Sequence, residues 1–200
     1  MINIFWKYIN SNGHDKVNSH ELCTGIKQEY LPLLIKRIFR WETDQYSIFK
    51  GEHGKPLLSG APSAGYFNIS HSKEIWSCSL SENNIGIDIE FVNPHRSIIV
   101  KRMFAREEEE ELDRISDDAE KMEKFYTLWT AKEAYSKLTG SGLSKDLLKN
   151  YTVHCGNCIL NRNTGETEAY ILTGRLEKDY ILTICSEKKI GPEDISIEQL

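Results

Sequence analysis

The chain has 200 residues, of which 40% are hydrophobic and 28% are charged. This composition allows one sizeable core, or two small packed lobes, without support from disulfides or metals, and it excludes a disordered chain. The 25 Lys and Arg residues against 30 Asp and Glu residues give a net charge of −5, which argues against a general binder of nucleic acid or of anionic membranes.

The cellular compartment is indicated by the apolar pattern and by the cysteines. No window approaches the roughly eighteen uninterrupted apolar residues of a membrane span, and residues 1–7 lack the basic-then-apolar layout of a secretory signal. The five cysteines are an odd number, which suits reduced thiols better than a disulfide framework. We therefore expect a cytoplasmic protein.

The first half of the chain predicts one long helix among short strands. Residues 2–8 alternate in the manner of a strand, and residues 21–40 carry apolar side chains at helical spacing. Pro32 predicts a kink or a break inside that helix. Short runs between Gly, Pro, Ser and Asn follow, and we expect residues 75–80 and 85–91 to pair as a hairpin.

The second half predicts helices followed by strands. Helical spacing dominates residues 98–138, with a break near residues 116–118, and strand-like segments return between residues 151 and 184. The sum is an α+β fold with a boundary near residue 93. We expect an N-terminal lobe over residues 1–93 and a C-terminal lobe over residues 94–200, packed as a single unit.

Acids alternate with apolar residues over residues 85–91. In a strand, the isoleucines and Phe91 would share one face, and Gly86, Asp88 and Glu90 would share the other. Side chains two apart begin roughly 7 Å from each other, so both carboxylates can converge on one hard cation. Gly86 would leave room beside them for a ligand. The alternative is the solvated face of an edge strand.

A second candidate is the segment Phe125–Leu138, which predicts an amphipathic helix. Most of its apolar residues share one stripe, while Glu133 and Lys137 project from nearly the opposite side and Trp129 lies one turn before Glu133. The glycines within residues 140–142 end the helix and let the chain pass close to a bound group. The alternative is an ordinary surface helix with a Glu–Lys pair.

Two loops carry groups that bind phosphate. Ser70-His71-Ser72 places a hydroxyl, an imidazole and a hydroxyl in a row, all able to hydrogen-bond phosphate oxygens, although a histidine in a polar loop is also common at a surface. Residues 51–56 form a glycine and proline loop that presents Lys55, and alone this is a turn. No acid is placed to complete a hydrolytic triad with these serines, and no Gly-x-Ser-x-Gly elbow is present.

Four segments follow one another in a defined order. They are Gly54-Lys55-Pro56, Asn68-Ile69-Ser70-His71-Ser72, Gly86-Ile87-Asp88-Ile89-Glu90, and Trp129-Thr130-Ala131-Lys132-Glu133-Ala134-Tyr135-Ser136-Lys137 with its glycine-rich continuation to Leu143. Together they resemble the 4′-phosphopantetheinyl transferases of the surfactin-type branch, with its Trp-x-x-Lys-Glu-Ala signature. The resemblance runs from about Lys27 to Leu143, and the strand-rich tail is compatible with it.

The resemblance implies an activity and a metal. Enzymes of this family move the phosphopantetheine arm of coenzyme A onto a serine of an acyl or peptidyl carrier protein and release adenosine 3′,5′-bisphosphate. Charge neutralisation at the pyrophosphate lowers the barrier of such a transfer. By this resemblance Asp88, Glu90 and Glu133 would hold Mg²⁺, and Glu133 would assist deprotonation of the carrier serine.

The resemblance also implies a coenzyme A site. Lys55 and Pro56 would lie near the adenine and the 3′-phosphate, Ser70 and His71 at the phosphates, and Lys132 and Lys137 at the pyrophosphate. Lys137 shares the helix face of Glu133, whereas Lys132 lies about 100° away and must reach across. Lys27 stands where the family usually has an arginine for the 3′-phosphate, and a lysine lacks bidentate recognition.

Further expectations concern Glu108, the fold and the partner. Glu108 matches a family motif of aromatic residues followed by an acid, and the alternative is a solvated acidic helix start.

The resemblance implies two similar α/β lobes related by a pseudo-twofold axis, with the active site between them, in a monomer. Carrier proteins are acidic, so a locally basic or apolar patch must meet them. Its candidates are Lys36, Arg37, Arg40, Lys101 and Arg102.

Other interpretations stay open at this point. The acidic face also suits another Mg²⁺-dependent phosphate enzyme, such as a nucleotide hydrolase, or the chain could be a non-catalytic module that binds coenzyme A or a carrier. A single Cys-x-x-Cys, at Cys155 and Cys158, can be a zinc half-site or a redox pair. No second cysteine pair and no helix start accompany it, so we assign it neither function.

Overall fold

The computed structural model describes residues 1–9, 19–61, 63–93 and 104–200, and over these ranges the fold is mixed α/β. The described helices are α1 (Ser19–Phe39), α2 (Arg106–Arg114), α3 (Asp118–Thr139) and α4 (Lys145–Asn150). The described strands are β1 (Ile2–Tyr8), β2 (Ser47–Lys50), β3 (Pro56–Ser59), β4 (Tyr66–Ser72), β5 (Ile75–Ser81), β6 (Ile85–Phe91), β7 (Tyr151–His154), β8 (Cys158–Asn161), β9 (Thr167–Leu176), β10 (Tyr180–Ser186) and β11 (Ile195–Gln199).

Two larger sheets and one small hairpin organise these strands. The first sheet has the order β11-β1-β5-β4, the second has the order β6-β10-β9-β8-β7, and β2 pairs with β3. Only β1 and β11 run parallel among the described pairs, with Ile2 opposite Ile195. Strand β6 therefore lies in a sheet with strands from the C-terminal half, and β11 joins the sheet of the N-terminal half. The division at residue 93 stays a prediction.

The predicted hairpin of residues 75–80 and 85–91 is wrong. Strand β5 lies between β1 and β4, so both of its edges are already hydrogen-bonded. The chain therefore leaves this sheet after Ser81, and β6 pairs instead with β10, where Asp88 lies opposite Thr183. The actual hairpin joins β4 to β5.

Alternation along β6 places its apolar face in the core between the two sheets. Ile85, Ile87 and Ile89 are at most 1% exposed and pack with apolar residues of β1, β9 and β10. Burying one such side chain contributes about 1.5–3 kcal/mol. The predicted apolar face of this strand is confirmed, and its other face is left to meet α3.

Helices cover the outer faces of the sheets. Helix α1 packs its apolar stripe, including Leu34 and Ile35, against β5, and it runs through Pro32 without ending there. The predicted break before α3 is confirmed, because Asp117 accepts the backbone N–H of Glu120 at 2.8 Å and caps the new helix. No helix in the described ranges is long and apolar enough to cross a bilayer.

Some sequence-based expectations lie outside the described residues. They are the helical spacing at residues 98–103, and Lys101 and Arg102 of the basic patch.

Candidate active site

The second face of β6 carries its acids against helix α3. Asp88 is only 4% exposed and Glu90 is half-buried, so the solvated-face alternative is wrong for Asp88. Buried carboxylates need partners, since an unpaired charge away from water is costly. The partners of these two acids define the site.

Asp88 has one satisfied oxygen and one unsatisfied oxygen. Its Oδ1 accepts a hydrogen bond from Ser70 Oγ at 2.8 Å and another from Lys137 Nζ at 2.7 Å. Its Oδ2 is buried and has no hydrogen-bond partner. An unmet buried acceptor costs about 1–3 kcal/mol, and more when it is charged. A bound cation would satisfy this oxygen.

Glu90 is held from both sides. Ser72 Oγ donates to its Oε2 at 2.8 Å, and Trp129 Nε1 makes a longer bond of 3.4 Å to its Oε1. Trp129, Glu133 and Lys137 are spaced four residues apart, so they share one stripe of α3. Because Trp129 contacts Glu90 and Lys137 contacts Asp88, the intervening Glu133 faces the same stretch of β6.

The site offers oxygen donors rather than a closed metal cage. In the parts of the chain that the structure describes, no three His, Cys, Asp or Glu side chains are gathered tightly enough to hold a metal ion. Mg²⁺ keeps several waters and takes one or two carboxylates together with substrate phosphates. The unmet oxygen of Asp88 and the carboxylate of Glu90 match the one or two carboxylates that such an ion takes, and Glu133 on the facing helix is a third candidate donor.

Gly86 makes room for a helix, not for a ligand. A Cβ at this position would lie 1.9 Å from the carbonyl oxygen of Ala134 and 2.7 Å from the backbone nitrogen of Leu138. The expectation of ligand space beside Gly86 is therefore wrong. The glycine lets α3 approach β6 closely, which brings Lys137 within reach of Asp88.

A cavity of about 480 Å³ opens beside the acids. Its lining includes five residues that the sequence singled out, namely Lys27, Lys55, Pro56, His71 and Lys137. They come from α1, from the start of β3 and the residue before it, from β4 and from α3, so distant parts of the sequence converge here. The size is typical of small-molecule sites, and three lysines favour an anionic ligand.

Lys55 is anchored at the end of helix α3. Its Nζ donates to Asn84 Oδ1 at 2.9 Å and to the carbonyl oxygen of Leu138 at 2.8 Å. Burial lowers the pKa of Lys55 from 10.5 to about 8, with a smaller opposing effect from Glu187. Asn84 holds the lysine at the cavity wall, and the sequence-based interpretation did not identify this residue.

Lys132 lies away from this cavity. Its side chain is 0% exposed and its Nζ lies 2.5 Å from Glu108 Oε2, and it also donates to the carbonyl oxygen of Leu148. Burial lowers the pKa of Lys132, while Glu108 opposes that shift. The structure therefore does not bring Lys132 to the residues around Asp88. Lys132 follows Leu128 by one turn, and this spacing placed it on the buried side of the helix.

Glu108 is a core residue rather than a solvated one. It is 2% exposed and accepts the backbone N–H of Val153 at 2.9 Å and of Ala105 at 3.1 Å, in addition to its pairing with Lys132. The alternative of a solvated helix start is wrong for this residue, although its neighbours Glu107 and Glu110 are exposed.

The described part of the basic patch is exposed, but two of its cations are paired. The Nζ of Lys36 lies 2.9 Å from Oε2 of Glu42, and the Nη2 of Arg37 lies 2.7 Å from Oε2 of Glu198. Arg40 is exposed at the end of α1.

The Cys-x-x-Cys segment forms the turn between β7 and β8. Cys155 is exposed there and Cys158 is buried. Burial raises the pKa of the Cys158 thiol.

Together, a lysine-lined cavity and an adjacent acidic strand face are typical of a protein that binds a phosphorylated ligand next to oxygen donors. A profile of the 4′-phosphopantetheinyl transferase superfamily matches residues 84–185, just over half of the 200 residues. The chain belongs to this superfamily.

Individual relatives support this assignment. The 4′-phosphopantetheinyl transferase Sfp of Bacillus subtilis (strain 168) is 32% identical over 167 residues, which cover 82% of this chain and 73% of that protein. The 4′-phosphopantetheinyl transferase psf-1 of Bacillus pumilus is 34% identical over 155 residues, or 75% of this chain and 65% of that protein. HetI of Nostoc sp., also a 4′-phosphopantetheinyl transferase, is 39% identical over 109 residues, or 52% of this chain and 46% of that protein.

Proposed function

We propose that this chain transfers the 4′-phosphopantetheine group of coenzyme A to a serine of an acyl or peptidyl carrier protein in an Mg²⁺-dependent reaction. The observation that carries the proposal is Lys137. Its Nζ is 2.7 Å from Asp88 Oδ1 and it also lines the lysine-rich cavity, so one side chain joins the acids to the anion site. A pyrophosphate bound in the cavity next to Lys137 would be within reach of both the lysines and the acids.

Coenzyme A would occupy the cavity with its anionic groups on the lysines. Lys27, Lys55 and Pro56 would lie at the adenine and 3′-phosphate, and His71 and Lys137 at the remaining phosphates. Lys132 has no part in this arrangement, because it is buried in the core and forms an ion pair with Glu108. The three lysines that line the cavity would offset the excess negative charge of the carboxylates when the pyrophosphate arrives.

The residues of this chain supply positioning and proton transfer. Asp88, Glu90 and Glu133 would hold Mg²⁺, which neutralises charge on the pyrophosphate when bound. Glu133 would accept the hydroxyl proton of the carrier serine while the serine oxygen forms a bond to the β-phosphorus of coenzyme A. The bond from that phosphorus to the bridging oxygen breaks, and adenosine 3′,5′-bisphosphate leaves with the electron pair. Lys137 would stabilise the charge that develops there.

The finer architecture belongs to the same proposal. Two lobes, residues 1–93 and 94–200, would be related by a pseudo-twofold axis in a monomer. A helix packed on a sheet in each half supports this, as does the position of Asp88 between β4 of one sheet and α3 on the other. The exposed Arg40, with Lys36 and Arg37, would meet the acidic carrier.

The test is a mass measurement on carrier proteins. The protein is incubated with coenzyme A, Mg²⁺ and apo fatty-acid, polyketide and peptidyl carriers, with and without chelator. We expect one carrier to gain the mass of one phosphopantetheine, and the gain to disappear with chelator. Breakdown of coenzyme A without any acceptor would instead favour a hydrolase. Binding of coenzyme A without mass gain on any carrier would favour a non-catalytic module.

A further inference from the structure

Strand β4 reaches β6 through side chains at every second residue. The two strands belong to different sheets, so no backbone ladder joins them. Side-chain oxygens of β4 instead accept backbone N–H groups of β6, from Ile87 to Asn68 at 3.1 Å, from Ile89 to Ser70 at 3.2 Å, and from Phe91 to Ser72 at 3.0 Å. The backbone N–H groups of Ile87, Ile89 and Phe91 on the free edge of β6 thereby have hydrogen-bond partners.

The two serines make a second bond that the asparagine does not. Ser70 Oγ donates to Asp88 and Ser72 Oγ donates to Glu90, each at 2.8 Å. Each hydroxyl therefore spans one acid and the N–H of the residue that follows it. The same unit repeats after two residues on both strands, which keeps the two strands in register.

The hydroxyl of Ser70 has no capacity left for another ligand. A serine hydroxyl offers one proton and two lone pairs. Ser70 donates its proton to Asp88 and accepts from the N–H of Ile89 and from Lys137 Nζ, the last at 2.8 Å. A phosphate at this hydroxyl would have to break one of these bonds. The placement disfavours the phosphate contact that the resemblance implied for Ser70.

The choice of residue follows the need for a donor. Sealing the edge of β6 requires only an acceptor, and Asn68 supplies one opposite Gly86, where β6 has no carboxylate. Hydroxyls, which can both accept and donate, occur at the two positions where β6 carries an acid. If the β4 side chains served only to bond the N–H groups of β6, no change from asparagine to serine opposite Asp88 and Glu90 would be needed.

We propose that Ser70 and Ser72 are positioning residues that orient the carboxylates of Asp88 and Glu90 for the cation before it binds. The inference rests on the proposed Mg²⁺ site and adds to it the residues that orient its ligands. On Asp88, Ser70 and Lys137 both bond to Oδ1, and Oδ2 stays unpartnered. Fixing a ligand by a hydrogen bond to its other oxygen raises metal affinity because less freedom is lost on binding.

The test uses Mn²⁺ as a paramagnetic probe of the protein without coenzyme A. Free Mn²⁺ is titrated by electron paramagnetic resonance against wild type, Ser72→Ala and Ser79→Ala. Ser79 is the matched control, because it is buried on β5 and its hydroxyl donates to the Asn68 carbonyl at 3.4 Å rather than to an acid. We expect Ser72→Ala to weaken Mn²⁺ binding about tenfold or more, and Ser79→Ala to leave it unchanged.

A second pair of variants separates orientation from folding. Ser72→Thr and Ser72→Val have nearly equal volume and differ in the hydroxyl, so both alter packing alike. Tight Mn²⁺ binding by the threonine variant and weak binding by the valine variant support the proposal, even if Ser72→Ala unfolds. Equal affinities of these two variants would overturn it.

Different results would contradict the proposed function and the proposed role of the two serines. Wild-type protein that transfers phosphopantetheine in the presence of chelator, or that binds no Mn²⁺, would overturn the metal site itself. Wild type that binds Mn²⁺ together with Ser72 variants of unchanged affinity would overturn only the role of the serines.

Discussion

Lys132 and Glu108 form an ion pair almost wholly removed from solvent, with side chains 0% and 3% exposed. Lys137, five residues further along α3, instead pairs with Asp88 at the site. Five residues turn a helix by about 140° beyond a full circle, so the two lysines point to different sides. The helix thus uses one lysine in the core and the other at the active site.

Replacing Lys132 should destabilise the protein rather than disable the chemistry. Lys132→Met leaves the carboxylate of Glu108 buried without its cation, and breaking such a pair costs about 3–5 kcal/mol. The measurement is the free energy of unfolding in denaturant. Adding Glu108→Leu should recover part of the loss, because the uncompensated charge is then absent. A single variant as stable as wild type would contradict the structural role.

Replacing Lys137 should instead lower the catalytic activity. Lys137→Met removes the cation that joins Asp88 to the cavity, and losing one such charge-stabilising group typically lowers kcat by about 10²–10³-fold. Phosphopantetheine transfer to the best carrier is measured at saturating coenzyme A. Lys121→Met is the control, since it removes a lysine from a partly exposed position on the same helix. Equal activity of the two variants would exclude Lys137 from the reaction.

Periodicity predicted faces correctly but could not predict what covers them. The alternation of residues 85–91 put Asp88 and Glu90 on one face, and the structure confirms it. The partner of that strand depends on which sheet edge is free, and this is a property of the whole fold. The expected hairpin with residues 75–80 failed for that reason.

Residue type misled where it competed with position. Lys132 lies on the buried stripe by spacing, yet its charge and its motif suggested a ligand contact. Its partner Glu108 is distant in sequence, and only the packing of α2 on α3 joins them. Likewise, the absence of a side chain at Gly86 indicated free space, but a backbone fills it. Long-range contacts of this kind leave no local signal.

Gly86→Ala tests the close approach of α3 to β6. The added methyl would meet the backbone of Ala134 at 1.9 Å, and backbone cannot rotate away as a flexible side chain can. Overpacking typically costs about 1–3 kcal/mol, and we expect the upper end or more. The control is Gly174→Ala on β9, where a Cβ would have nothing within 4 Å. Equal unfolding free energies for the two variants would show that the helix can move away.

The low pKa of Lys55 predicts how coenzyme A binding depends on pH. Burial lowers this pKa to about 8, so the ammonium group is present below that pH and is lost above it. A charged Lys55 attracts the 3′-phosphate, and a neutral one does not. We therefore expect kcat/KM for coenzyme A, which reports the free enzyme, to fall as the pH rises through about 8.

Two controls assign that pH dependence to Lys55 and to the 3′-phosphate. Lys55→Met should lower kcat/KM at pH 7 and remove the inflection near pH 8, since its side chain does not titrate. Dephospho-coenzyme A, which lacks the 3′-phosphate, should show little inflection with the wild-type enzyme for the same reason. An inflection that persists in Lys55→Met would belong to another group. An inflection that is lost in Lys55→Met but is retained by the wild-type enzyme with dephospho-coenzyme A would place Lys55 at a different phosphate of the substrate.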